Sequence, residues 1–107
     1  MINLTDDTFR QALNSAMKPM LLVFRAGFCG PSAAIDPLLD QLEADFSHCM
    51  EIGIIDVEEC PRVTREMSVK GTPTLIIFEL GKALASRIGT MTYDELADWI
   101  EDYCKND

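Results

Sequence analysis

The most regular feature of the sequence is an unbroken apolar run, Leu21–Phe24. A short continuous apolar run that is followed by turn residues is typical of a buried strand, here Met20 to Arg25. Beyond it, apolar residues recur at helical spacing and predict a long helix that begins at Gly30 or Pro31 and that Pro37 kinks. The apolar face of this helix consists of Ile35, Leu38, Leu39, Leu42 and Phe46.

The residues before this strand predict two further elements. Met1 to Leu4 can form a short first strand. Thr5 or Asp6 then caps a helix that ends before Pro19, because the residue preceding a proline avoids helical conformation. The apolar face of this first helix consists of Phe9, Ala12, Leu13, Ala16 and Met17.

The second half of the chain predicts three strands and two helices. In order, these are a strand from Met50 to Val57, a short helix opened by Pro61, a strand from Thr74 to Phe78, a hairpin turn at Glu79–Lys82, a strand from Ala83 to Ile88, and a last helix that starts with a capping box of Thr92 and Glu95. The order βαβαβαββα predicts an α/β fold with a central mixed sheet and helices on both faces.

The predicted junction between the buried strand and the long helix carries a thiol, that of Cys29. A helix N-terminus favours negative charge, so it should lower the pKa of Cys29 and increase the thiolate fraction. The thiolate is the nucleophile in disulfide exchange. Ser32 stands three residues later, where a second cysteine would complete a Cys-x-x-Cys pair. Its hydroxyl can donate a hydrogen bond to the thiolate but cannot attack a mixed disulfide.

Length, composition and net charge limit the kinds of function that the chain can have. We expect a single domain over residues 1–107, since 107 residues with 48 % hydrophobic content suffice for one core. The net charge of −9 argues against nucleic acid or an anionic membrane surface as the main partner. Without an apolar signal segment or membrane-spanning run, a cytoplasmic location is the simplest expectation.

The other cysteines show no regular spacing, which argues against a disulfide framework. Cys60 precedes a helix-opening proline and so could be moderately reactive, but Cys49, Cys60 and Cys104 are all expected to be structural or incidental. With His48 as the only histidine, no metal site is expected.

Together these residues resemble the thioredoxin family nearly end to end. Phe28-Cys29-Gly30-Pro31 is similar to the family's Trp-Cys-Gly-Pro signature, with Phe in place of Trp. Pro37 stands where the family has its helix proline, and Gly71-Thr72-Pro73-Thr74 resembles the loop that carries a cis proline facing the active cysteine. Further positions in register are Asp56, Phe78, Gly81 and Gly89.

The resemblance implies that Cys29 attacks disulfides in partner proteins. It also implies a shallow substrate groove and backbone pairing of the substrate with the residue before the cis proline. The substrate-binding residues would be Phe28, Gly30, Pro31, Thr72, Pro73 and Gly89. Expected partners are thiol or disulfide proteins, with thioredoxin reductase or glutathione as an electron source, and we expect a monomer without a cofactor.

Four departures from the family pattern matter for the chemistry. Ser32 replaces the second cysteine, Val23 a buried acid, Ile52 a lysine near that acid, and Arg25 a tryptophan. In the family the acid is thought to move a proton for the second cysteine, so losing both together is coherent. Ser32 fits either a natural single-thiol protein or an engineered cysteine-to-serine trap, and Val23 favours the natural form.

Two alternatives from other function classes remain open at this point. The chain could be a binding module that keeps the fold for protein contacts and has lost its redox role. It could also be an iron–sulfur carrier, because monothiol glutaredoxins use a Cys-Gly-Phe-Ser sequence that Cys29-Gly30-Pro31-Ser32 superficially resembles. Pro31 and the added first strand and helix follow thioredoxin instead.

Overall fold

The computed structural model describes residues 1–27 and 30–104, and for residues 31 and 32 the backbone alone. The described strands are β1 (Ile2–Asn3), β2 (Met20–Arg25), β3 (Glu51–Asp56), β4 (Thr74–Glu79) and β5 (Lys82–Ile88). The described helices are α1 (Phe9–Ser15), α2 (Gly30–Ala33), α3 (Asp36–Phe46), α4 (Pro61–Glu66) and α5 (Tyr93–Glu101). None of these helices is both long and apolar enough to cross a membrane.

The strands form one mixed sheet in the order β1-β3-β2-β4-β5. β3 runs parallel to both β1 and β2, while β4 pairs antiparallel with β2 and with β5. In the β2–β3 register Met20 lies opposite Glu51, and Arg25 lies opposite Asp56. We call these two ends of the parallel strands the amino edge and the carboxyl edge. The predicted α/β fold with a mixed sheet is therefore confirmed.

Both faces of the sheet are covered, which explains the unbroken apolar run in β2. Leu21 and Val23 belong to a buried cluster with residues of α3 and α5. Met20, Leu22 and Phe24 belong to a second cluster with residues of α1 and α4. Because successive strand residues point to opposite faces, a strand buried on both sides needs apolar residues at every position.

The long helix predicted from Gly30 to Phe46 is two helices in the structure. α2 ends at Ala33 and α3 begins at Asp36, with a turn between them. Pro37 lies in the first turn of α3 rather than inside a continuous helix. A proline there interrupts no hydrogen bond, because the first N–H groups of a helix have no intrahelical acceptor. The predicted kink is therefore a complete break.

The first helix is shorter than predicted. α1 ends at Ser15, and the next residue, Ala16, has an extended backbone with a ψ of 128°. Met17 lies beyond this turn and is 97 % exposed, so its predicted place on the apolar face is wrong. Pro19 restricts only the preceding residue, Lys18, to extended conformations, and α1 ends before that limit is reached.

The hairpin turn and the capping box that the sequence predicts in the last third of the chain are both confirmed. The β4–β5 hairpin turns at Leu80 and Gly81, which both have positive φ, 52° and 79°. At the start of α5 the Thr92 side chain accepts a hydrogen bond from the Glu95 backbone N–H at 3.1 Å. The Glu95 carboxylate accepts one from the Thr92 N–H at 3.0 Å. This reciprocal pair is the predicted capping box.

Cys49 and Cys104 form a disulfide, although the irregular spacing of the cysteines argued against disulfides. Of the two roles expected for this pair, structural or incidental, the structural one applies. Their Cα atoms lie 5.3 Å apart, within the range that disulfides require. The bond joins the connector before β3 to the segment that follows α5, 55 residues later. Closing a loop of this length is expected to stabilise the fold by about 4 kcal/mol through the lost entropy of the unfolded chain.

Candidate active site

The structure describes only part of the predicted Cys29 turn. Phe28 and Cys29 lie outside the described residues, and Pro31 and Ser32 are described by their backbone alone. The flanking elements agree with the prediction, since β2 ends at Arg25 and α2 begins at Gly30. In the chain, Cys29 therefore falls between a strand end and a helix start. That helix has four residues, so the support it gives to a thiolate must come from first-turn N–H groups rather than from a long dipole.

The proline loop and the end of β5 meet at the carboxyl edge of the sheet, where Thr74 pairs with Phe24 and with Ile88. The Thr72–Pro73 peptide bond is cis, as the sequence predicted. The carbonyl oxygen of Pro73 accepts a hydrogen bond from the Gly89 backbone N–H at 2.9 Å. Gly89 has a φ of 93°, a conformation that favours glycine. Thr74 fixes the other side of the loop, because its hydroxyl donates to the Gly71 carbonyl at 2.6 Å. The structure thus brings Thr72, Pro73 and Gly89 together.

A small apolar cavity connects the proline loop to the helices that follow Gly30. Its lining residues come from the α2–α3 turn, from α3 and α5, from the proline loop and from the segment after Gly89. They are Ala34, Ile35, Leu38, Pro73, Thr90, Met91 and Leu96. Sequence reasoning placed Ile35 and Leu38 on an apolar helix face but did not predict that Met91 would join them, since residues 90 and 91 belong to no element.

Arg25 occupies the last position of β2 and joins three elements at the carboxyl edge. Its Nε and Nη2 donate to the two carboxylate oxygens of Asp36, at 2.9 and 2.7 Å. Its Nη1 lies 4.0 Å from a carboxylate oxygen of Asp56 at the end of β3. A side chain added at Gly27 would meet Nη1 at 4.0 Å, so the guanidinium also borders the turn. The sequence marked Arg25 as a departure from the family pattern but gave no signal for its partners.

The positions of the missing acid and lysine lie in the apolar core. Val23 is fully buried, and Ile52 is 1 % exposed. Both belong to the cluster that α3 and α5 cover. Within the described residues Thr74 is the one buried polar or charged side chain, so no buried carboxylate or ammonium group replaces the missing pair there. The core beneath the turn is therefore apolar at both positions.

Cys60 is a buried structural thiol. Its side chain is 1 % exposed, and its Sγ donates to the Leu4 carbonyl at 3.4 Å. Burial raises the pKa of Cys60, and the nearby carboxylates of Asp6, Asp56 and Glu59 raise it further. A thiol with a raised pKa and no solvent access is a poor nucleophile. The moderate reactivity considered for Cys60 is therefore not supported.

Comparison with known proteins places this arrangement in a family. The family model described as thioredoxin matches residues 1–102. Thioredoxin C-2 of Corynebacterium nephridii is 30 % identical over 100 residues, which cover 94 % of this chain and 93 % of that protein. The thioredoxin of Pseudomonas aeruginosa is 29 % identical over 100 residues, with the same coverage. The thioredoxin of Acidithiobacillus ferridurans is 27 % identical over 97 residues, covering 91 % and 90 %. This chain therefore belongs to the thioredoxin family.

Proposed function

We propose that this chain carries out thiol–disulfide exchange, the general activity of its family, through the single nucleophilic thiol of Cys29. The Cys29 thiolate attacks a disulfide in a partner protein, forms a mixed disulfide and releases the second partner sulfur as a thiolate. Ser32 has no thiol, so it cannot displace the partner from this adduct. A second thiol, from the partner, from glutathione or from another protein, completes the exchange.

The observation that carries the proposal is the apolar character of positions 23 and 52. Val23 is fully buried and Ile52 nearly so, in the same core cluster. A buried carboxylate is costly to keep. The resemblance implies that its task in a two-cysteine family member is proton transfer to the second cysteine. With Ser32 in place of that cysteine, a buried acid would have no thiol to which it could transfer a proton. The apolar core and the serine support the same single-thiol chemistry.

Substrate binding is proposed at the edge formed by the Cys29 turn, the proline loop and the end of β5. Phe28, Gly30 and Pro31 would contact the partner from the turn. Thr72, Pro73 and Gly89 would contact it from the other side, supported by the hydrogen bond between Gly89 and Pro73. An extended partner segment would pair with the backbone of Thr72.

The proposed partners are proteins that carry accessible disulfides or thiols, with glutathione as the source of electrons. Thioredoxin reductase alone should not sustain turnover, because Cys29 has no second active-site cysteine with which to form a reducible disulfide. We further propose that residues 1–107 work as one domain, as a monomer in the cytoplasm. The exchange step itself needs no cofactor, because the sulfur atoms carry both electrons. The acidic net charge of −9 favours partners with basic surfaces around the disulfide.

The test is the fate of the adduct. The reduced chain is mixed with insulin as a protein disulfide substrate, and intact mass spectrometry follows covalent adducts over time. We expect an adduct at Cys29 that persists until a small thiol is added. Ser32→Cys is the matched variant, and it should shorten the lifetime of the adduct because an intramolecular thiol can now resolve it.

The same assay separates exchange from the binding-module alternative. Cys29→Ser should abolish adducts, and in the proposed function it should also abolish capture of disulfide partners. If Cys29→Ser instead binds those partners as tightly as the native chain, the contact surface rather than the thiol is the function.

A further inference from the structure

Cys49 of the Cys49–Cys104 disulfide and Gly27 lie at opposite edges of the sheet. Cys49 precedes β3 at the amino edge of the sheet, where Glu51 pairs with Met20. Gly27 follows β2 at the opposite, carboxyl edge, where Arg25 pairs with Asp56. A six-residue strand with a rise of about 3.3 Å per residue separates the two edges. The disulfide therefore has surroundings separate from those of Gly27.

A surface cavity gives solvent access to this disulfide. Cys49 and Cys104 both line it, together with His48 and Tyr93. Its volume of about 590 Å³ leaves room for a small thiol beside the sulfur atoms. Exchange requires that an attacking sulfur reach one end of the bond, and an open cavity at a disulfide meets that requirement.

The two sulfur atoms differ in accessibility. Cys49 is 3 % exposed and belongs to the core cluster covered by α3 and α5. Cys104 is half-buried and packs against the outside of that cluster. An incoming thiolate can therefore reach the sulfur of Cys104 more readily, which leaves the sulfur of Cys49 as the leaving group.

The cavity is lined by two carboxylates and by one imidazole, that of His48. Asp45 and Glu101 both line it. The Tyr93 hydroxyl donates a hydrogen bond to Asp45. Burial, assisted by that hydrogen bond and by the neighbouring carboxylates, raises the pKa of Tyr93 to about 12, so its hydroxyl stays neutral at physiological pH. Two carboxylates beside the bond attract a cationic thiol and repel an anionic one.

We propose that Cys49–Cys104 is a second thiol–disulfide exchange site of this protein, selective for small cationic aminothiols. The aminothiol thiolate attacks the Cys104 sulfur, the bond between the two cysteines breaks, and the electron pair leaves on the Cys49 sulfur, which takes a proton from solvent. A second aminothiol then attacks the bound one. The aminothiols are oxidised to their disulfide, and the cysteine pair is reduced to two thiols by the same two electrons.

The test measures charge selectivity in the full chain carrying Cys29→Ser, which makes it independent of the function proposed for Cys29. The rates at which cysteamine and 3-mercaptopropionate reduce the Cys49–Cys104 disulfide are compared at low salt. Each rate is divided by the rate at which the same thiol reduces uncharged 2-hydroxyethyl disulfide. We expect the normalised ratio to favour cysteamine by about tenfold and to shrink at 0.5 M salt. Peptide mapping after acid quenching should find the first adduct on Cys104.

Two charge variants identify the source of the selectivity. Glu101→Gln removes one cavity carboxylate and should reduce the cysteamine preference to about threefold. Glu58→Gln is the matched control, since Glu58 lies exposed after β3 at the carboxyl edge, and it should leave the preference unchanged. Any of three results would overturn the proposal. They are a normalised cysteamine-to-mercaptopropionate ratio near one, a first adduct on Cys49, and reduction of the Cys49–Cys104 disulfide no faster than global unfolding.

Discussion

At the residue scale, Arg25 shows how a charged side chain replaces an aromatic one at the end of a buried strand. Its guanidinium holds both carboxylate oxygens of Asp36 and is 19 % exposed as a side chain. Asp36 is 46 % exposed, so solvent screens the pair and limits its contribution. The bidentate geometry compensates in part, because two parallel charge-assisted bonds fix the turn before α3 to the end of β2.

Arg25→Ala should lower the free energy of unfolding by about 1 kcal/mol, through loss of both hydrogen bonds. Arg25→Lys keeps the charge but cannot donate to both oxygens, so we expect an intermediate loss. Urea denaturation measures both. Arg10→Ala is the matched control, since Arg10 and its partner Glu66 are 57 % and 42 % exposed, and it should cost less. An equal loss in Arg25→Ala and Arg10→Ala would contradict the structural role of Arg25.

The residue scale also shows what sequence reasoning can reach. Cys29, Ser32, Val23 and Ile52 could be singled out because each compares directly with a family motif position. Asp36 could not be identified as the partner of Arg25, because the contact depends on where the α2–α3 break places the start of α3. Ion pairs between distant positions depend on tertiary geometry that no local pattern encodes.

At the element scale, β3 approaches its neighbours closely at Gly53. Gly53 pairs with Ile2 of β1 on one side and with Leu22 of β2 on the other. A Cβ atom at this position would lie 2.9 Å from Leu4 Cδ1 and 3.2 Å from Leu22 Cδ2. Both distances are shorter than ordinary van der Waals contact, so a larger residue must displace buried side chains.

Gly53→Ala should therefore destabilise the protein by about 1 to 3 kcal/mol, as overpacking of a core usually does. Thermal or urea unfolding provides the measurement. Gly71→Ala serves as the control, because a Cβ there meets nothing within 4 Å, and it should stay within about 0.5 kcal/mol of the native chain. A Gly53→Ala chain as stable as Gly71→Ala would show that the Leu4 and Leu22 side chains yield to the added methyl.

The capping box of α5 gives a second prediction at this scale. Hydrogen bonding to the Thr92 N–H lowers the pKa of Glu95 below its ordinary value of 4.5. The carboxylate therefore stabilises the fold above pH 4.5, and this contribution is lost as the pH falls through the lowered pKa. The stability difference between the native chain and Glu95→Gln should shrink as the pH falls below 4.5.

Thr92→Ala should cost about 1 kcal/mol at pH 7, because it removes the acceptor for the Glu95 N–H. The role of the carboxylate would be contradicted if the free energies of unfolding of the native chain and of Glu95→Gln differed by the same amount from pH 7 to pH 3.

At the scale of the whole molecule, the strand end before Cys29 and the Cys49–Cys104 disulfide belong to opposite edges of the sheet. The carboxyl edge carries the strand end before Cys29, the cis proline loop and Gly89. The amino edge carries the disulfide that anchors the end of α5. The core between them is apolar on both faces of the central strands, and Cys60 is buried in the cluster that α1 and α4 cover.

The sequence predicted this architecture because strand and helix periodicities are local. β2, the hairpin at Leu80–Gly81 and the α5 cap all follow from neighbouring residues. The break before Asp36 was missed because proline can either kink or begin a helix, and the local pattern does not distinguish these outcomes. The early end of α1 was missed because the apolar helical spacing continues through Ala16 and Met17. The Cys49–Cys104 bond was missed because 55 residues separate its ends. Only the packing of α5 against the connector before β3 brings them together.

The most direct test of single-thiol exchange is sustained turnover with thioredoxin reductase as the only electron source. The native chain is supplied with insulin, NADPH and reductase, and NADPH oxidation is followed beside Ser32→Cys as the two-thiol comparison. We predict that the native chain consumes no more than stoichiometric NADPH, since Cys29 has no partner with which to form a reducible active-site disulfide. Oxidation of many equivalents of NADPH per native chain, with insulin reduced in proportion, would contradict the account.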